Sequence, residues 1–452
     1  MTRTFRRIAT CSLCLGLVVA PAVMPAAADD VTPVPVSVPS GSSSSDIEKE
    51  IEELQRRIGI LTEEVRKMKE RETIPETVEL KSTYGMAPAA SKVYGKERGL
   101  SIGGYGEFNF KKEVGDKKGN DDVFDFVRFV GYLGYKFNDW IVMNSEIEVE
   151  HASTDKNGSV SLEFAYLDFM LHRRMGVRAG LLLVPVGFIN ELHEPTVYHG
   201  NQRPAVERQL IPSTWRANGA GIYGELAEGL TYRTYAITSM RAANFSSSNL
   251  RGGRQKGSEE RAEDWSWVGR LDWTPLEGLD FGGSVYVGNQ GQDETIVKER
   301  DAADVPIDEG TVAAFMQMYE GHAQWRWRGW EARALGVWVD LDDTRALSTN
   351  ALAPIANTMN GWYAELAYNL LPLLRPETEQ YLAPWFRYSQ YDTQADVASG
   401  LVKDNSQDRD SWEIGLDYKP IPQVVLKVDY RNEDASSGDR PDVVRVGGGF
   451  VF

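Results

Sequence analysis

The chain has 452 residues, and its 66 acidic and 49 basic residues give a formal net charge of −17 at pH 7. Such an acidic protein is a poor candidate for binding nucleic acid, whose phosphates attract basic surfaces. Its two cysteines, Cys11 and Cys14, lie in the first 28 residues. The rest of the chain therefore has no disulfide framework, thiolate metal site or cysteine nucleophile.

Residues 1–28 have the pattern of a secretory signal peptide. Three arginines precede an apolar run from Cys11 to Ala20, and three alanines before Asp29 offer a cleavage site. Removing these arginines changes the net charge from −17 to −20. No later apolar run approaches the roughly 18 residues of a membrane-spanning helix. We therefore expect an exported protein that is either soluble in the periplasm or inserted in the outer membrane as a barrel.

A short coiled coil is predicted at residues 46–72. A Pro/Ser-rich linker, residues 29–45, precedes it, and a second linker, residues 73–99, follows. Apolar residues recur at alternating four- and three-residue steps, and the other faces are charged, so we favour self-association over packing on the same chain. The predicted seam consists of Ile47, Ile51, Leu54, Ile58, Leu61, Val65 and Met68.

From residue 100 to residue 452 the pattern changes to short alternating segments. In WEIGLDYK, for example, Trp412, Ile414 and Leu416 alternate with Glu413 and Asp417. We count about sixteen such segments, joined by alternately short and long connections, with aromatic residues near their ends. The last segment ends on an aromatic residue that resembles the assembly signal of outer-membrane proteins. The predicted fold class is an all-β transmembrane barrel of about 16 antiparallel strands, closed, preceded by a short N-terminal coiled-coil helix.

The third long connection contains ELHEPTVYHG, with two of the five histidines. A zinc-protease helix needs two histidines four residues apart, whereas His193 and His199 are six apart and Pro195 interrupts any helix. With nearby glutamates they could still bind a cation, but we favour a polar constriction of a pore. The predicted constriction residues are Glu191, His193, Glu194, His199, Arg203, Glu207, Arg208 and Arg216.

Strand parity predicts a charged pore wall of both signs. Such a wall can orient dipolar solutes, or its charges can pair with cross-strand neighbours and stiffen the wall. The predicted wall residues are Arg128, Lys136, Glu146, Glu148, Glu150, Arg233, Arg270, Arg333, Glu365, Arg387, Lys427 and Arg445.

The segments SLEFAYLDFML, VRAGLLLVPVGFINELHEP, ERQLIPSTW and GAGIYGEL resemble the phosphate-selective porin O and P family, in its coiled-coil-bearing trimeric branch. The matching features are the AY-D strand, the glycines and proline at Gly180, Pro185 and Gly187, and the Glu-Arg pair closing the third loop. The resemblance implies a sixteen-stranded homotrimer in the Gram-negative outer membrane, with its coil in the periplasm, that takes up small, often anionic solutes. By analogy with general porins of this size, in which the loop after the fifth strand folds inward and narrows the pore, we expect the third long connection to do the same. Family members usually carry polar or basic residues where this chain has leucines at 181–183.

The leading functional prediction is a water-filled channel for passive diffusion of small hydrophilic solutes or ions. The alternatives are a structural envelope tether and a barrel sheath for a periplasmic or electron-transfer partner. The five histidines are scattered without a serine-centred signature, so an enzyme is not expected. No catalytic residue, metal site or cofactor is predicted. The expected partners are outer-membrane lipid, further copies of the chain and small polar solutes, without nucleic acid.

Overall fold

The computed structural model describes residues 53–64, 81–115, 122–155 and 157–452. The predicted signal peptide and the Pro/Ser linker lie outside these residues. The chain divides into two compact units, Met1–Thr77 and Val78–Phe452. In the first unit, residues 53–64 of the predicted coil are helical.

The second unit is built from β-strands. Sixteen of them form a barrel, and two more form a small hairpin. The barrel strands are β1 (Gly99–Val114), β2 (Val123–Lys136), β3 (Ile141–Glu150), β4 (Ser159–His172), β5 (Met175–Leu183), β6 (Arg216–Ala227), β7 (Leu230–Thr238), β8 (Trp265–Leu276), β9 (Leu279–Asn289), β12 (Phe315–Trp327), β13 (Trp330–Leu341), β14 (Ala356–Tyr368), β15 (Tyr381–Val397), β16 (Asp408–Ile421), β17 (Val424–Ala435) and β18 (Asp442–Val451). The hairpin strands, between β9 and β12, are β10 (Ile296–Arg300) and β11 (Pro306–Gly310).

All barrel strands pair antiparallel with their neighbours along the chain, and β9 pairs with β12 across the hairpin. The barrel closes where β1 pairs with β18, with Tyr105 opposite Val451. The prediction of a closed, all-β barrel of about sixteen antiparallel strands is thus confirmed. Closure leaves no unpaired sheet edge.

The helices in this unit are short and lie outside the barrel strands. No described helix combines the length and the apolar character needed to cross a membrane. The 3-10 helices are Ala90–Gly95, Ala242–Asn244, Arg251–Gly253 and Asn405–Gln407, and the α-helices are Ala205–Gln209, Thr344–Ala351 and Leu371–Leu374.

The two faces of the wall differ, as the alternating sequence requires. On β16, the side chains of Trp412, Ile414 and Leu416 are exposed on the outer face, whereas those of Glu413 and Asp417 are buried on the inner face. Successive side chains of a strand point to opposite sides, so an alternating sequence produces an apolar outside and a polar inside. Many of the exposed tryptophans lie at strand ends, as predicted; Trp265 and Trp330, for example, begin strands.

The connections also alternate, with short turns at one end of the barrel and long loops at the other. The longest, residues 184–215, joins β5 to β6 and contains ELHEPTVYHG. Sequence reasoning placed this stretch after the fifth strand, where it lies. We call residues 184–215 the third loop.

Candidate functional site: the barrel interior

The third loop crosses the interior of the barrel. Most of its residues are buried, and it contacts inner side chains on strands all around the wall. These side chains are Glu107 of β1, Glu146 of β3, Glu163 of β4, Arg233 of β7, Arg270 of β8, Arg333 of β13, Tyr363 of β14, Arg387 of β15, Asp417 of β16 and Lys427 of β17.

His193 joins the third loop to β3. Its Nδ1 atom lies 3.0 Å from the carbonyl oxygen of Asn190, and its Nε2 atom lies 3.1 and 3.2 Å from the two carboxylate oxygens of Glu146. Both side chains are almost completely buried. Both carboxylate oxygens of the predicted wall residue Glu146 therefore face the imidazole ring of His193.

His199 makes a second, similar contact with β16, which lies five strands away from β3 around the barrel. Its Nδ1 atom lies 3.0 Å from Oδ2 of Asp417, and its ring stacks on that of Trp385 at a centroid distance of 6.0 Å. Its carbonyl oxygen accepts a 2.8 Å hydrogen bond from Nη2 of Arg387. The two histidines of ELHEPTVYHG are therefore separate anchors and do not form one site.

Two glutamates of the third loop face arginines or hydrogen-bond donors. Glu191 lies 3.5 Å from Nη1 of Arg233 and 3.9 Å from Nη1 of Arg270. Glu207 accepts a 2.6 Å hydrogen bond from the backbone N–H of Ile189 and a 2.7 Å hydrogen bond from the phenol of Tyr363.

The three predicted constriction arginines have different surroundings. Arg203 donates to the carbonyl oxygen of His193 at 3.4 Å. Burial, together with neighbouring Arg431, lowers the pKa of Arg208 to about 10. Arg216, which sequence reasoning assigned to the loop, is the first residue of β6 and donates to Oε1 of Glu163 at 2.6 Å.

All twelve predicted wall residues lie on the inner face. Nine of them are buried, whereas Arg128, Lys136 and Glu150 are partly exposed. Many pair with a charge on a neighbouring strand, as expected if the charges stiffen the wall. Arg128 lies 2.9 Å from Glu148, and Arg387 contacts Glu365. Lys427 instead donates to two carbonyl oxygens of the third loop, at 2.7 and 2.8 Å.

A second element, residues 81–98, also lies inside the barrel; we call it the N-terminal segment. Met86, Ala90 and Val93 are only 1–2% exposed. Nδ2 of Asn144 on β3 donates to the carbonyl oxygen of Ala90 at 2.9 Å, and the phenol of Tyr94 donates to Asp168 on β4. Sequence reasoning placed these residues in a linker. The small and apolar run MAPAASKV is the signal that could have indicated a packed segment.

Glu194 connects the N-terminal segment to the third loop. Its Oε1 atom accepts hydrogen bonds from the backbone N–H groups of Ala89 and Ala90, at 2.8 and 3.3 Å. Burial raises the pKa of this carboxyl to about 7, although the two N–H donors act to lower it. All eight predicted constriction residues thus lie inside the barrel. They make separate contacts with different strands and do not gather into one cluster.

The predicted coil seam is described only in part. Leu54, Ile58 and Leu61 lie on the helix of residues 53–64, and their side chains are 53–63% exposed within one chain. The other four seam residues lie outside the described part of the chain.

No protein-family model matches the chain. A protein of Aquifex aeolicus (strain VF5), described as uncharacterized, is 33% identical over 402 residues, which cover 86% of this chain and 87% of that protein.

Three solved structures share the barrel fold. The Salmonella typhi OmpF complex with daunomycin has a TM-score of 0.52 at 12% identity and covers 80% of this chain and 99% of that one. A loop L8 deletion mutant of OmpT, an outer membrane protein of Vibrio cholerae, has a TM-score of 0.50 at 10% identity, covering 79% and 100%. Pseudomonas putida OprB at high pH has a TM-score of 0.50 at 10% identity, covering 78% and 94%. Identities this low establish the shared fold alone.

Proposed function

This chain belongs to one family with the uncharacterized Aquifex aeolicus protein. For this chain we propose the function of an outer-membrane porin. It forms a channel for passive diffusion of small hydrophilic solutes or ions, narrowed by the third loop. The observation that carries the proposal is a closed barrel with an apolar outer face and a charged inner face, crossed by one inward loop.

The outer face suits a bilayer. A closed barrel pairs all backbone groups between strands, which a lipid environment requires. Apolar side chains such as Ile414 and Leu426 are exposed there, at 46% and 48%. Trp327 and Trp330 are exposed at the short-turn end, where aromatic rings suit a membrane–water boundary. The protein therefore belongs in an outer membrane, with its long loops outside.

The inner face suits small polar solutes. The third loop and the N-terminal segment contact many of the charged wall residues, so we expect a narrow passage. Its walls carry carboxylates and guanidinium groups that already pair with each other, which favours mixed permeability over strong selection by net charge. The phosphate-selective porin resemblance of the sequence supports uptake of small solutes.

We infer that the assembly is a homotrimer that depends on the coil. The exposed apolar positions Leu54, Ile58 and Leu61 are those that a coiled coil would bury between copies of the chain. The resemblance to the trimeric branch supports three copies, with the coil in the periplasm.

A second candidate function is an envelope tether or a sheath for a periplasmic partner. The N-terminal segment favours it, because a barrel whose interior is filled near Ala90 and Val93 would conduct poorly. In this alternative the barrel is an anchor and the coil is the functional part.

Conductance of the full chain in a planar bilayer separates the two functions. A porin gives stepwise openings in threes, and the reversal potential under a salt gradient reports its preference for anions or cations. Gly134 on β2 faces the N-terminal segment, and a Cβ atom added there would lie 2.6 Å from Cβ of Val93. A Cβ atom added at Gly131 on the same strand would have no atom within 4 Å.

We therefore expect Gly134→Leu to displace the N-terminal segment and raise the conductance severalfold. Gly131→Leu is the matched control and should conduct like the unmodified chain. If neither the unmodified chain nor folded Gly134→Leu conducts, the porin function is wrong and the tether or sheath replaces it.

A further inference from the structure

Three potential metal ligands meet where the third loop contacts the wall. Glu146 comes from β3, Glu163 from β4 and His193 from the third loop, and one ligand atom of each lies within 4.8 Å of the others. All three residues are at most 1% exposed. Residues so far apart in sequence converge here because the loop folds onto the strands.

The hydrogen bonds of His193 define which ring nitrogen carries the proton. Nδ1 faces the carbonyl oxygen of Asn190, which can only accept, so Nδ1 must donate. In a neutral ring Nε2 then has a bare lone pair, yet it faces both oxygens of Glu146. Acceptors placed against each other need something positive between them. A backbone carbonyl that orients Nδ1–H is also the arrangement typical of a metal-binding histidine.

Glu163 supplies a second, independent indication. Its Oε1 atom accepts hydrogen bonds from Thr214 at 2.9 Å and Arg216 at 2.6 Å. Its Oε2 atom is buried and has no hydrogen-bond partner among the described residues. The Glu163 carboxylate also lies beside the carboxyl group of Glu148, and two buried carboxyl groups this close need a proton or a cation between them.

The local charge balance leads to the same conclusion. Four buried carboxylates surround the site, and the arginines ion-paired to them within the described part of the chain are Arg128 and Arg216. Arg203 is also buried beside Glu107 and His193, so three guanidinium groups leave one carboxylate to be balanced by His193 or by an ion. The four carboxylates are those of Glu107, Glu146, Glu148 and Glu163.

We propose that Glu146, Glu163 and His193 bind one divalent transition-metal ion, which fastens the third loop to β3 and β4. The donor set of two carboxylates and one imidazole suits Zn²⁺, with bonds of about 2.0–2.2 Å. Two such donors on one ion lie roughly 3.0–3.4 Å apart, and Nε2 lies 3.1 and 3.2 Å from the Glu146 oxygens. Ca²⁺ suits this site poorly, because it takes six to eight oxygen ligands and the site offers two carboxylates and one imidazole.

The test uses the full chain, folded in detergent and freed of metal with a chelator. Calorimetric titration with ZnCl₂ should give one bound ion per chain, and CaCl₂ should give no comparable binding. Co²⁺ should give a visible absorption band of a nitrogen- and oxygen-ligated site. Zn²⁺ should also raise the thermal unfolding midpoint, since an ion that binds only the folded state stabilises it.

The variants Glu163→Gln and His193→Gln should lose the ion and the Co²⁺ band. His199→Gln is the matched control, because His199 also lies against two carboxylates, those of Asp417 and Glu331, but belongs to no compact three-ligand group among the described residues. It should bind Zn²⁺ like the unmodified chain. Circular dichroism and heat-modifiable migration verify that each variant is folded.

Absence of Zn²⁺ and Co²⁺ binding by the folded, unmodified chain would overturn the proposal and assign a protonated imidazolium to His193. Binding that persists in folded His193→Gln would overturn it as well. Neither result bears on conductance, so this site and the porin function fail or succeed separately.

Discussion

The outer and inner faces of the barrel wall are made by the same strands, yet they hold their side chains in opposite ways. On β16, Ile414 points outward, is 46% exposed and is suited to an apolar solvent. Glu413, one residue earlier, is 4% exposed and lies 3.5 Å from Arg387 on β15. An outward position therefore requires only an apolar side chain, whereas an inward charged position requires a specific ion-pair or hydrogen-bond partner.

Removal of one inner charge should be the most damaging change. Arg387 contacts Glu365, Glu413 and the carbonyl oxygen of His199. Arg387→Met leaves two buried carboxylates without their cation, which costs roughly 3–5 kcal/mol of folding free energy. Equilibrium denaturant unfolding in lipid vesicles measures the loss.

The control for this prediction is Arg173→Met. Arg173 forms a 2.7 Å pair with Glu225, but it is exposed at the short-turn end of the barrel. Its replacement should leave the unfolding midpoint unchanged, because water screens and solvates the remaining carboxylate. Equal destabilisation by both variants would show that inner partners carry no special importance.

A charge on the outer face should be the next most damaging change, and its cost should depend on depth. Ile414→Arg places a guanidinium group near the middle of β16 and should cost roughly 2–4 kcal/mol in a bilayer. Ile421→Arg, at the end of the same strand, should cost about 0–1 kcal/mol. The same unfolding assay applies, and equal costs at the two depths would contradict a membrane around this face.

Loss of one inner hydrogen bond should have a smaller effect. Tyr198 of the third loop donates to Oε2 of Glu107 at 2.7 Å inside the barrel. Tyr198→Phe should cost roughly 1.5–3 kcal/mol, because the acceptor is a buried carboxylate. Tyr232→Phe removes a 3.0 Å bond to the carbonyl oxygen of Arg174 at the short turns and should change stability by less than about 0.5 kcal/mol. The prediction is wrong if the two phenylalanine variants unfold at the same denaturant concentration.

A change in the coil should have the smallest effect on the barrel. Ile58→Asp places a charge in the predicted seam, so we expect dissociation of the oligomer while barrel stability is unchanged. Gly59→Asp, one residue away and outside the seam, should remain oligomeric. Light scattering after size-exclusion chromatography measures the mass, and an intact oligomer in Ile58→Asp would show that the coil does not hold it together.

The outer and inner faces also differ in how far the sequence predicts them. The strand count, the alternation along β16 and the place of the third loop after the fifth strand were all readable from the sequence. The inward direction of the twelve wall residues was readable too, since parity is a local property. In contrast, nothing local placed residues 81–98 inside the barrel, because a short run of alanines without periodicity is compatible with a linker.

The local sequence pattern also does not predict which buried side chains contact each other. His193 contacts Glu146, 47 residues away, and His199 contacts Asp417, 218 residues away. The two histidines are six residues apart, yet within the described part of the chain only His193 belongs to a compact group of three potential ligands, with Glu146 and Glu163. A candidate site of this kind exists only after the barrel has closed and the loop has entered it.

An alternating, aromatic-rich chain with alternately short and long connections specifies strands with an apolar outside and a polar inside. The reason is that side-chain direction in a strand depends only on the parity of a residue. What fills the interior, and which charges meet there, depends on contacts that form only in the folded chain. Those contacts join residues separated by tens to hundreds of positions, and their distances depend on barrel closure and on the path of the third loop, which no local pattern encodes.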